Sequence, residues 1–175
     1  MSIKQTDVQR PLMTSSFRDR ESAERAYDAI TARGYKSDEI HVLMSNDTRK
    51  RLFVADGVKT DMGNKAMQGA GVGGAVGGAV GATLVGILAA AATLTLPGIG
   101  LLIAGPLAGA LAGGAAGAAA GGLVGMLVGA GIPEERARVY ETDLKAGGIV
   151  LGVKPRHDDD ARYFETEWQA QHTQK

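Results

Sequence analysis

Charged and apolar positions alternate at short period over the first 65 residues and again after residue 133, whereas between Lys65 and Glu134 no position is charged or a histidine. In the first flank, residues 12–17 read as a short strand. A helix follows over 20–33, with Asp19 as N-cap, Gly34 as stop, and Ala23, Ala26, Tyr27 and Ile30 on one face. Residues 39–44 (Glu-Ile-His-Val-Leu-Met) read as a second strand, and 45–65 as a charged connector. In the last flank, Pro133 opens a helix running to 146 with Ala137, Tyr140 and Leu144 inward and Gly147-Gly148 as its stop. A strand over 149–153 and a helix over 158–171, with Ala161, Phe164 and Trp168 along one side, complete it. The flanks are thus a βαβ and an αβα unit. Each is too short to bury a stable core, so the expected fold is one α/β domain, an α+β sandwich, formed by pairing them.

The middle tract predicts a different structure. Its length suits two helices, and Leu96-Pro97-Gly98-Ile99-Gly100 reads as the turn between them, with Pro97, Gly98 and Gly100 as turn residues. Glycines recur every fourth position: Gly69, Gly73, Gly77 and Gly81 before the turn, then Gly105, Gly109, Gly113, Gly117, Gly121, Gly125 and Gly129. Positions four apart share a helix face, and a glycine strip there lets two backbones approach closely. The expected organisation is an N-terminal half-domain over 1–65, a glycine-zipper helical hairpin over 66–133, and a C-terminal half-domain over 134–175. With no charge in it, the hairpin is expected to sit in a membrane and to self-associate. Lys50, Arg51, Lys59 and Lys65 before it, and Arg136, Arg138 and Lys145 after it, place both ends on the cytoplasmic side of a bacterial membrane.

Charge and composition narrow the chemistry. Nineteen basic and 19 acidic side chains in 175 residues give no net charge and no reason to expect nucleic acid. The absence of cysteine removes disulfides, zinc-thiolate sites and thiol nucleophiles. Residues 1–20 lack the apolar core of a secretory signal.

Candidate motifs give no catalytic, cofactor or metal residue. Gly69-Ala70-Gly71-Val72-Gly73-Gly74 has the spacing of a dinucleotide-binding loop, but no apolar strand precedes it. His157-Asp158-Asp159-Asp160 contains metal-ligating types, yet four adjacent residues converge poorly on one ion and suit a helix N-terminus better. His41 alternates with Ile40 and Val42 in a strand, His172 lies in the tail, and neither has an evident nucleophile partner. Phe164 and Trp168 read as core of the last helix. No cofactor is expected, no small-molecule ligand is indicated, and the chain reads as a non-enzyme.

Several segments, taken in order, resemble the bacterial general stress proteins of the low-temperature- or heat-induced type. The carriers are residues 17–26 (Phe-Arg-Asp-Arg-Glu-Ser-Ala-Glu-Arg-Ala), Arg33-Gly34-Tyr35 with Ile40-His41-Val42-Leu43, the glycine-rich tract with Leu96-Pro97-Gly98-Ile99-Gly100, Gly131-Ile132-Pro133-Glu134-Glu135-Arg136-Ala137 through Tyr140-Glu141, and Gly147-Gly148-Ile149-Val150-Leu151. The chain departs from the family pattern at Met13-Thr14-Ser15-Ser16, where a valine-rich run is usual. The resemblance implies a membrane-associated stress-response protein with no established activity and no catalytic residues to carry over. The leading expectation is a structural or adaptor domain anchored to membrane lipid by a hairpin that forms homo-oligomers. The alternatives are a pore built from several hairpins, and a soluble assembly with the hairpins buried between subunits.

Overall fold

The structure is a computed structural model and describes residues 10–54, 84–89, 91–96, 98–113 and 115–173. Strand β1 (Met13–Phe17) leads into helix α1 (Arg20–Ala32). The Asp19 carboxylate accepts the Ser22 amide at 2.8 Å, satisfying one of the orphan donors of the first turn. Gly34, at φ 78°, ends the helix where a side chain would be strained. After one tight turn over Ser37–Glu39 comes β2 (Ile40–Ser45), buried along its whole length. Ser45 then caps a short helix, α2 (Asn46–Arg49), which runs on into a wider turn over Lys50–Val54, so the stretch read as a connector begins with structure.

The next elements are α3 (Leu84–Ala89), β3 (Ala92–Leu96), β4 (Ile99–Ala104), α4 (Leu107–Gly113) and α5 (Ala115–Gly129). The chain closes with α6 (Glu134–Lys145), β5 (Ile149–Val153) and α7 (Asp158–Thr173). Helix α6 ends as its Gly147-Gly148 pair predicts. The Gly148 amide reaches the Asp143 carbonyl at 2.7 Å, the Gly147 amide reaches Leu144 at 3.2 Å, and Gly147 sits at φ 94°.

The five strands among the described residues form one sheet in the order β1-β5-β2-β4-β3, and every pairing is antiparallel. The last strand lies between the first two. β1-α1-β2 is therefore a split βαβ unit whose gap is filled by the C-terminal flank, which joins the two flanks into one fold. Helices cover both faces, and the period-two alternation of the strands divides the core between them. Val42, Met44, Leu102, Ile149 and Leu151 pack with Tyr27 and Ile30 of α1 and Phe164 and Trp168 of α7. Leu43, Leu101, Ile103 and Val150 pack with Leu107, Leu123, Met126 and Leu127 of α4 and α5 and with Tyr140 and Leu144 of α6.

The middle tract departs from the expected helical hairpin. Among the described residues no helix is long and apolar enough to cross a membrane, which overturns the transmembrane hairpin. The expected turn is in place, but it joins two strands: β3 and β4 pair from Leu96 opposite Ile99 out to Ala92 opposite Ile103. Gly98 sits in that turn at φ 85°, a conformation a type II turn requires of its third residue. The physical reason lies in Thr93-Leu94-Thr95-Leu96, an apolar/polar alternation of period two with β-branched residues, which suits a pleated strand better than a helix. Beyond the turn, Gly105 (φ 84°) breaks the chain between β4 and α4, and Gly122 (φ 59°, ψ −145°) interrupts α5. Gly69, Gly73, Gly77, Gly81 and Pro97 lie outside the described residues.

Candidate functional site

Helices α4 and α5 lie on the sheet with their large apolar side chains inward. Leu107, Leu111, Leu123, Met126 and Leu127 are buried, while Gly109, Gly121 and Gly129 are exposed. A β-carbon added at Gly109, Gly121 or Gly129 would meet no atom within 4 Å. Val128, beside Gly129 in α5, is 42% exposed. The four-residue glycine spacing thus places several of its members outward, away from the chain's own core. Gly105 serves a different purpose. A β-carbon there would collide with the Ile40 carbonyl oxygen, so this glycine permits close passage of β2. Gly113 ends α4, and Gly117 and Gly125 lie within α5. Gly100 lies against the Asn46 side chain, whose amide end would have to move aside for a β-carbon.

Beside this surface, β3 forms one outer strand of the sheet. Its Ala92, Thr93 and Thr95 are exposed, Leu94 is half-buried, and Leu96 is buried. In an antiparallel ladder, alternate residues direct their amides and carbonyls away from the neighbouring strand. Among the described residues, part of the β3 backbone therefore has no strand partner on its outer side. The edge carries no charge, proline or bulge of the kind that usually blocks edge pairing.

Two clefts lie on the surface of the described residues. One, of about 520 Å³, lies between α2, the β3–β4 turn and the end of α6, with Asp47, Thr48, Arg51, Thr95 and Lys145 in its lining. The Arg51 guanidinium lies against Gly147, donating to its carbonyl at 3.4 Å, and Lys145 pairs with Glu141 at 2.8 Å. The other, of about 500 Å³, runs along β1 between Arg136 and the Trp168 end of α7.

Of the titratable groups singled out in the sequence, the side chains of His41, Asp158, Asp159 and Asp160 are engaged in holding the fold. His41 is buried, and its Nδ1 accepts the Leu107 amide at 3.0 Å, capping the first turn of α4. Burial lowers its pKa to about 4, because the charged imidazolium is disfavoured away from water. His157 precedes α7, its carbonyl accepting the Ala161 amide. The three aspartates after it diverge: Asp158 pairs with Arg10, Asp159 with Arg162, and the buried Asp160 accepts from Tyr35 at 2.7 Å and Arg33 at 3.2 Å. Hydrogen bonding from Arg10 holds the Asp158 carboxyl below its usual range. Burial pushes the Tyr35 hydroxyl up to about 12, and that hydroxyl also accepts the Arg156 amide at 2.6 Å. Among the described residues, no group of three His, Asp or Glu side chains is placed to hold a metal ion. Phe164 stacks on Trp168 at 6.0 Å in the core.

Sequence reasoning did not find two of these features, the outer strand β3 and the histidine cap on α4. The Thr-Leu alternation signals the first. Nothing in the sequence signals the second, since His41 and Leu107 are 66 positions apart. Comparison with protein-family models, curated proteins and solved structures finds no match. No relative therefore bears on the resemblance to the general stress proteins.

Proposed function

We propose that this chain is a non-catalytic structural module that associates with copies of itself through the uncharged outer surface of α4 and α5. The observation that carries this reading is the orientation of Gly109, Gly121 and Gly129. They are exposed with open space in front of them, next to exposed Val128. Small residues in that position let a second backbone approach closely, and glycine in a helix otherwise costs about 1 kcal/mol relative to alanine. A helix that served only to cover its own sheet would be more stable with alanine there. The non-catalytic part of the reading is supported by the use of the polar groups: the His41, Tyr35 and Asp160 side chains are each taken up by tertiary hydrogen bonds.

Gly121→Leu tests the proposal. The site has room for the side chain within one chain, so the variant should fold with unchanged circular dichroism. It should shift the solution mass measured by light scattering from oligomer towards monomer. An unchanged oligomer mass would remove the glycine surface from the interface.

A further inference from the structure

We infer that the self-association axis passes through the outer strand β3, so that two copies join edge to edge into one continuous ten-stranded antiparallel sheet. The inference rests on the self-association reading above and names its interface.

Three observations select a second copy of this chain as the occupant of the edge. First, β3 is complementary to itself. Antiparallel pairing about a two-fold axis at Leu94 sets Leu94 against its own copy, Thr93 against Thr95, and Ala92 against Leu96. These are uncharged pairs of β-branched and aliphatic residues, the kind that stabilise cross-strand contacts. A two-fold contact requires such a self-complementary patch.

Second, the strand and its flanking sequence carry no charge, while Asp47, Arg51 and Lys145 line a cleft beside Thr95 and Leu96. Residues 66–133 include neither acidic nor basic side chains, so the paired strands themselves bring no like-charged groups together, and the chain as a whole carries no net charge to keep two copies apart. Third, α5 packs over β3. Joining two sheets at β3 therefore brings each α5 towards its copy, which makes the strand edge continuous with the exposed glycine surface. The partner's strand would supply hydrogen bonds to the outer side of β3, which pairs with no strand among the described residues.

The test uses the full chain in detergent-free buffer. Thr93→Lys with Thr95→Lys places charge on two exposed positions and would set two lysine pairs directly opposite each other in the joined sheet. Association should weaken at least about tenfold, with circular dichroism unchanged. Leu94→Cys in this cysteine-free chain would place one thiol on the axis, and mild oxidation should yield a disulfide-linked dimer. If the wild type associates but the double lysine variant associates equally well, the β3 interface is wrong and the self-association reading stands. Should the lysine variant misfold, the cysteine variant decides, and failure to crosslink in associated protein overturns the interface. A wild type that remains a single chain at every concentration overturns both, and leaves the edge to an extended segment of some other protein.

Discussion

His41 illustrates how a titratable side chain is committed to the fold. Its Nδ1 accepts the Leu107 amide, so the neutral imidazole supplies a cap that the sequence next to α4 lacks. Protonation would replace that acceptor with a donor and put a positive charge at the positive end of a helix. The ordinary imidazole value is 6.5 and the folded value is about 4, so the unfolded chain binds the proton first as pH falls. The stability contributed by neutral His41 is thus complete above about pH 6.5 and is lost progressively as pH drops towards 4, a contribution of up to roughly 3 kcal/mol. His41→Asn keeps an acceptor near the same position without a titrating group. Urea unfolding followed across that window should show a shallower pH slope for the variant than for the wild type. Equal slopes would mean that His41 does not titrate differently on folding.

At the level of elements, β1 shows how a polar sequence is held in a sheet. Met-Thr-Ser-Ser-Phe lacks the expected aliphatic run, but the Tyr140 hydroxyl donates to the Thr14 carbonyl and hydroxyl at 2.8 and 2.9 Å, and Ser16 donates to Asp143. Polar bonds to α6 replace part of the missing apolar contact. Tyr27 makes the opposite case, because its hydroxyl is buried with no hydrogen-bond partner among the described residues. Tyr140→Phe should lower unfolding free energy by about 1–2 kcal/mol, leaving buried acceptors unmet, whereas Tyr27→Phe should be neutral or stabilising. Equal losses in chemical denaturation would show that these two hydroxyls are not distinguished by their partners.

The same contrast explains what the sequence could reveal. Asp19, Gly34 and Gly147 act through hydrogen bonds or dihedrals within a few residues, so the ends of α1 and α6 are legible locally. The Gly98 turn is legible for the same reason. What surrounds that turn is not, because the glycine spacing of four is shared by residues with unrelated tasks: Gly105 clears a passage for β2, while Gly109 and Gly121 face outward. Only the tertiary arrangement separates them.

On the scale of the whole molecule, the charges are confined to the two flanks that build β1, α1, β2, α6, β5 and α7. The uncharged tract supplies β3, β4 and the helices α4 and α5 at one side of the sheet. The two parts meet at the β3–β4 turn, where Asp47, Arg51 and Lys145 of the flanks line a cleft with Thr95, Leu96 and Ile99. The proposed association of copies would use this uncharged side.

Sedimentation equilibrium of the purified wild-type chain in detergent-free buffer, over a hundredfold range of concentration, tests self-association most directly. The expected result is a mass that rises with concentration from one chain of 18.0 kDa to a dimer or larger assembly. A mass fixed at one chain across the whole range would contradict it.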